Sequence, residues 1–147
     1  MKKKILLTVT IIITLAIFIH SSMNAVDSSE ESGALLQFIN SIASSLHIQN
    51  ILNEHSIRKL AHFTEFSILG IFLSWTVFEY CKQLKTKIFM ILFFLLAVPV
   101  TDETIQYFPI GRSAEVKDVL LDFSGAITGF LITSAIIFII QKKRKNT

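Results

Sequence analysis

The stretch KIFMILFFLLAVPVTDETIQ, residues 87–106, carries the information that decides the fold. Residues 88–100 form an apolar run without a single charge, and Thr101, Asp102, Glu103, Thr104 and Gln106 follow directly. A helix rises about 1.5 Å per residue, and the hydrocarbon core of a bilayer is about 30 Å thick. If the helix continues past Val100, Asp102 and Glu103 lie ~21–23 Å above Ile88, still within that thickness. The run therefore reads as a membrane span that carries acidic residues near one end.

The same arrangement recurs outward from this run. An apolar stretch covers residues 5–19, a second span runs from about 57 to 80, and another from about 118 to 140. The chain has 147 residues, of which 52% are hydrophobic and 17% charged. The charges sit at the ends and junctions of the apolar runs, as expected when lipid is the solvent. The fold class is all-α, a multi-pass transmembrane bundle of about four helices. An extracytoplasmic amphipathic helix is expected beside it. Leu35, Phe38, Ile39, Ile42 and Leu46 fall on one helical face, with Gln37, Asn40, Ser41, Ser44 and Ser45 opposite. Ser28 and Glu31 have capping-box spacing ahead of that face.

Three segments follow from this reading. Residues 1–20 are a transmembrane signal anchor, 21–56 an extracytoplasmic segment with the amphipathic helix, and 57–147 the main membrane domain with a basic tail. Lys2, Lys3 and Lys4 before an apolar run are the start of a signal sequence. Cleavage after Met23-Asn24-Ala25 would put Met at −3, a poor match, so an uncleaved first span is expected.

Ten of the 14 Lys and Arg residues lie at the amino end, in the turn at 82–87 and in the tail at 141–145. With four spans these segments share one side, which the positive-inside rule makes the cytoplasm. The protein is expected in the cell membrane with both termini cytoplasmic. The net charge of +3 arises from these short clusters, so nucleic acid is not an expected partner. The single cysteine, Cys81, allows no intrachain disulfide and no Cys-based metal knuckle. It is either an inert thiol at the membrane edge or a palmitoylation site.

Depth brings the polar residues together. Counted from Tyr80, His62 is ~27 Å up its span and Glu65 ~22 Å; counted from Ile140, Asp122 is ~27 Å up and Asp118 ~33 Å. Three spans thus deliver ionisable groups to one level. Lys59, His62 and Glu65 share a helical face by i, i+3, i+6 spacing; Asp102 and Gln106 are i, i+4. Asp118, Asp122, Gly125 and Gly129 make a polar and glycine stripe, and Gly125 with Gly129 has the GxxxG spacing of close helix packing. Ionisable groups inside a membrane are costly and tend to pair. Lys59 and Arg112 are the expected cationic partners, Arg112 by forking onto Asp102, Glu103 or Asp118.

The polar set admits three readings: an ion-pair network pinning the helices, a site for an amphiphilic headgroup, or a catalytic centre. Asp102 and Glu103 have the chemistry of an acid and a base, with His62 beside them, but no Ser or Cys stands in a nucleophile context. Ser113 and Ser124 read as loop and helix-packing residues. His62 with Glu65 is a weak metal signal; further carboxylates nearby would permit Mn²⁺ or Mg²⁺, but no HExxH-type motif is present. No metal and no cofactor is assigned. The expected partners are the lipid bilayer and an amphiphilic extracytoplasmic ligand.

Two blocks of the chain resemble the VanZ-like family of membrane proteins. Lys59, His62, Phe63, Phe66, Leu69 and Gly70 match its Lys-x-x-His-Phe segment with the following aromatic residue and Leu-Gly. Asp102, Glu103, Gln106, Phe108, Gly111, Arg112, Asp118, Gly125 and Gly129 match its later pattern in order. Asp122 stands where the family often has Asn, and adds a negative charge. The resemblance implies a four-span fold and puts Gly70 among the packing glycines. The family's namesake is associated with low-level resistance to teicoplanin, a lipidated glycopeptide, so the resemblance also raises antibiotic resistance as a role.

Overall fold

The computed structural model describes residues 2–45 and 53–145, which form five α-helices with no strand among the described residues. They are α1 (Lys2–Ser21), α2 (Ala25–Ser45), α3 (Glu54–Tyr80), α4 (Leu84–Gln106) and α5 (Val116–Lys145). Helices α1, α3, α4 and α5 are each long and apolar enough to cross a membrane. The expected all-α bundle of four spans is present, with α2 as the additional helix.

Local chemistry sets the boundaries. α2 begins earlier than the Ser28–Glu31 spacing predicts. Asn24 Oδ1 accepts the Asp27 N–H at 3.0 Å and supplies the N-terminal cap, while Ser28 is buried inside the helix. Leu46 of the expected apolar face lies outside the described residues. Asn53 caps α3 by accepting the Ser56 N–H at 2.8 Å. α4 continues through Gln106, so its acidic pair is helical despite Pro99, which removes one backbone donor from the helix. α5 takes in the basic tail.

α3 touches every other helix and packs most extensively on α5. Lipid tails are as apolar as leucine, so helices in a membrane associate through close packing rather than escape from water. Glycine makes that closeness possible here. A Cβ on Gly70 would collide with the Ala126 carbonyl oxygen, and one on Gly129 with the Ser67 carbonyl oxygen. A Cβ on Gly125 would meet the Phe63 carbonyl oxygen at 2.5 Å. The GxxxG stripe is thus covered by α3 of the same chain. Thr133 adds a bond from its hydroxyl to the Ile71 carbonyl at 3.2 Å.

The core gathers Phe66, Leu69, Leu73 and Val77 of α3 with Ile91, Leu95 and Val98 of α4, Ile17 of α1 and Ala126 of α5. α1 is a full member of the bundle: its Thr10 hydroxyl lies 2.9 Å from that of Thr76, buried from solvent. Phe89, Phe93, Leu131 and Phe138 project outward. Lys2, Lys87, Arg144 and Glu79 line one hollow at one end of the bundle, and Lys3 Nζ donates to the Glu79 carbonyl at 2.5 Å. The basic segments therefore meet at one end, and the carboxylates of α4 and α5 occupy the other.

Candidate functional site

Three helices converge at the acidic end. His62 comes from α3, Asp102 from the last turns of α4 and Asp122 from the second turn of α5. They are 8%, 0% and 1% exposed, respectively. One donor atom from each lies within 4.8 Å of the others, and His62 Nδ1 is 3.7 Å from Asp122 Oδ1. Gly125 explains the alignment. Its contact with the Phe63 backbone sets α5 against α3 one turn away from Asp122, which brings Asp122 level with His62.

Arg112 reaches Asp102 through an intermediary. Gln106 Nε2 donates to Asp102 Oδ2 at 2.8 Å, and Arg112 Nη2 donates to Gln106 Oε1 at 2.8 Å. Arg112 Nη1 donates to the Met23 carbonyl at 3.4 Å. The expected fork onto Asp102, Glu103 or Asp118 is not what forms. The turn ending at Arg112 is closed by its N–H on the Pro109 carbonyl at 3.4 Å and by Gly111 at φ 80°, a conformation that favours glycine. That turn lays the guanidinium over the end of α4, with Gln106 between it and Asp102. Burial and the nearby Arg58 push the Arg112 pKa down from its ordinary value, while Asp102 and Glu103 oppose the shift. A guanidinium remains charged through such a perturbation.

The other predicted residues divide into two groups around this centre. Lys59 Nζ pairs with Asp118 Oδ1 at 3.2 Å, one of the pairings expected from sequence. Glu103 Oε1 accepts the Glu115 backbone N–H at 2.6 Å and so tethers the loop. Glu65, expected beside His62, instead turns towards α1. Its Oε1 lies 3.2 Å from His20 Nδ1, and His20 Nε2 lies 3.2 Å from Glu31 Oε2. The His20 ring stacks on His62 with centroids 6.0 Å apart. Neither His20 nor Ser21, whose Oγ accepts from Gln106 Nε2 at 3.4 Å, stands out in the sequence, and Glu31 does so only through its capping-box spacing. The available signal was His20 ending the first apolar run, at the depth of the other ionisable groups.

A cavity of about 190 Å³ opens at this end, lined by Arg58, Lys59, His62, Gln106, Arg112, Asp118 and Asp122 among others. Its wall carries the cations Arg58, Lys59 and Arg112 and the carboxylates Glu115, Asp118 and Asp122, of which Asp118 is paired with Lys59. Arg58 Nη2 donates to the Ser29 hydroxyl at 3.0 Å, and its Nε has no partner. Tyr107, Phe108, Ile110 and Val116 are exposed apolar side chains on the adjoining loop and helix start. Ser113 is exposed, and Ser124 donates within its own helix to the Leu121 carbonyl at 2.6 Å.

Fold and site together define a small polytopic membrane protein whose buried histidine and carboxylates gather at one end of a four-span bundle. Over residues 6–139 the chain matches the family model described as VanZ/LLP1, and it belongs to that family. The match takes in most of α1 and all of α2 as well as residues 57–139, where the two motif blocks lie. No curated protein and no solved structure matches the chain.

Proposed function

We propose that this VanZ/LLP1 membrane protein binds the headgroup of an amphiphile at the extracytoplasmic leaflet of the cell membrane. The observation that carries the reading is the cavity lined by Arg58, Lys59 and Arg112 together with His62, Asp118 and Asp122. Arginine and lysine hold phosphate oxygens through charge-assisted bonds, arginine in fork geometry. Each of the three keeps donors beyond those used within the protein. A phosphate-bearing cell-envelope lipid fits this chemistry. So does a lipoglycopeptide such as teicoplanin, whose acyl chain would enter the bilayer beside the exposed Tyr107, Phe108 and Ile110. The ten basic residues gathered in the opposite segments support placing the cavity outside the cytoplasm.

Native mass spectrometry of the purified protein, resolved for lipids, tests the binding. A retained envelope lipid that is lost in Arg58→Ala and Arg112→Ala supports the reading; retention of bulk phospholipid only, unchanged in both variants, removes it. The resistance version is tested by teicoplanin susceptibility with and without the gene, using unlipidated vancomycin for comparison. Equal susceptibility in the two strains removes that version alone.

A second reading is an enzyme acting on the same headgroup. The facing of His62 and Asp122, with Asp102 beside them, favours it, because these groups have the chemistry of acid–base catalysis. Turnover of envelope lipids that disappears in His62→Gln would establish it.

A further inference from the structure

We propose that His62, Asp102 and Asp122 form a binding site for one divalent cation of the Mn²⁺ or Zn²⁺ kind. The first support is geometric. One donor atom of each residue lies within 4.8 Å of the others. Metal–ligand bonds of about 2.0–2.2 Å put donors on opposite sides of an ion about 4 Å apart. Small side-chain rotations would therefore close the three donors onto one ion.

The second support is the state of the carboxylates. Asp122 is 1% exposed and neither oxygen has a hydrogen-bond partner; Asp102 is 0% exposed and its Oδ1 has none. Lys59 and Arg112 do not neutralise them, because Lys59 pairs with Asp118 and Arg112 bonds Gln106. Gln106 holds Asp102 by Oδ2 and leaves Oδ1 for the centre. Buried charges are normally paired or bound to metal. Two carboxylates and a neutral imidazole offer a charge of −2, and a mixed nitrogen and oxygen donor set suits Mn²⁺ or Zn²⁺ better than Ca²⁺. His62, Asp102 and Asp122 come from three helices, which is why no local spacing announces the site. Positions open towards the cavity would admit water or a headgroup oxygen. The inference shares this site with the headgroup reading, but the ion needs no lipid in order to bind.

The test uses full-length protein in detergent, stripped with chelator and titrated with Mn²⁺ and with Zn²⁺. One Mn²⁺ per chain is expected, with imidazole nitrogen coupling in pulsed electron paramagnetic resonance. Asp122→Asn should weaken binding about 100-fold or more, and Gln106→Ala, which acts on the ion through Asp102, by about 10–100-fold. If Asp122→Asn fails to fold, the nitrogen coupling in the unaltered protein and the Gln106→Ala titration still decide. No ion bound by the unaltered protein, no nitrogen coupling, or equal affinity in the folded variants would overturn the proposal. Ion bound with no envelope lipid retained supports the metal site while removing the headgroup reading; lipid retained without any ion does the reverse.

Discussion

Arg112 and Asp102 are joined through one amide: Gln106 accepts from the guanidinium at 2.8 Å and donates to the carboxylate at 2.8 Å. Glutamine is one of the few side chains able to do both at once. The relay connects the loop to the buried centre without placing the arginine in it. Arg112 can therefore fail in two separable ways, by releasing the loop or by removing a cation from the cavity wall.

Arg112→Ala should leave Gln106 Oε1 without its partner and release the contact to Met23. A buried acceptor left unsatisfied costs about 1–3 kcal/mol, and the partial exposure of Arg112 puts this site at the lower end. Thermal unfolding in detergent should show the loss. Arg112→Lys should keep the charge but lose the fork that spans Gln106 and Met23, giving a smaller decrease in stability and weaker headgroup binding. Unchanged stability and binding in both variants would make Arg112 a solvated loop residue.

The α3–α5 contact should be the least tolerant part of the bundle. Gly129→Ala and Gly70→Ala each force a Cβ into backbone atoms, which cannot rotate away. Overpacking of this kind costs about 1–3 kcal/mol or more. Gly33→Ala is the matched control, because its Cβ would lie 3.7 Å from a Glu54 side-chain oxygen and it sits within α2. That change should be neutral or stabilising by up to ~1 kcal/mol. Similar unfolding midpoints for all three would show that the helices do not meet at these glycines.

Topology follows from single cysteines in a Cys81→Ser background. Cysteine at Ser41 or Ser113, both exposed, should react with an impermeant thiol reagent in intact cells. Cysteine at Lys85 or Lys142 should react only after permeabilisation. Ser32 is unsuitable because it is buried against the bundle. Labelling of Lys85 from outside would reverse the orientation and move the cavity to the cytoplasmic leaflet.

Much of this architecture is legible in the sequence because lipid imposes simple rules. Uncharged runs mark spans, and rise per residue converts position into depth, which places His62, Asp102 and Asp122 at one level. The stripe of Asp118, Asp122, Gly125 and Gly129 also predicted the face that α5 turns inward. Lateral aim was not legible. Glu65 shares a helical face with His62, yet it pairs with His20 of α1 while His62 faces Asp122 of α5. Nor could spacing reveal that Gln106 would stand between Arg112 and Asp102, since that depends on the path of the turn through Gly111. His20 was missed because a run beginning with three lysines reads as a signal anchor, whose last residues carry no expected partner.

His20 supplies the final prediction, because it ties α1 and α2 to α3 at once. Its two ring nitrogens face Glu65 and Glu31, each at 3.2 Å, and its ring stacks on His62. All three groups are partly exposed or exposed, so each ion pair alone is worth little. Their arrangement around one ring should nevertheless couple them. A double-mutant cycle of His20→Ala with Glu65→Gln should give an interaction energy of about 0.5–3 kcal/mol, as for residues in one network. His20→Ala with Gly33→Ala, which shares no partner with it, should be additive within about 0.5 kcal/mol. The stacking adds a consequence at the centre: without His20, the His62 ring loses its neighbour on the α1 side. Any ion held by His62 should then be bound more weakly in His20→Ala, whereas Glu31→Gln should leave its affinity close to that of the unaltered protein. Additivity in the first cycle, together with unchanged ion affinity in His20→Ala, would show that α1 packs beside the centre without influencing it.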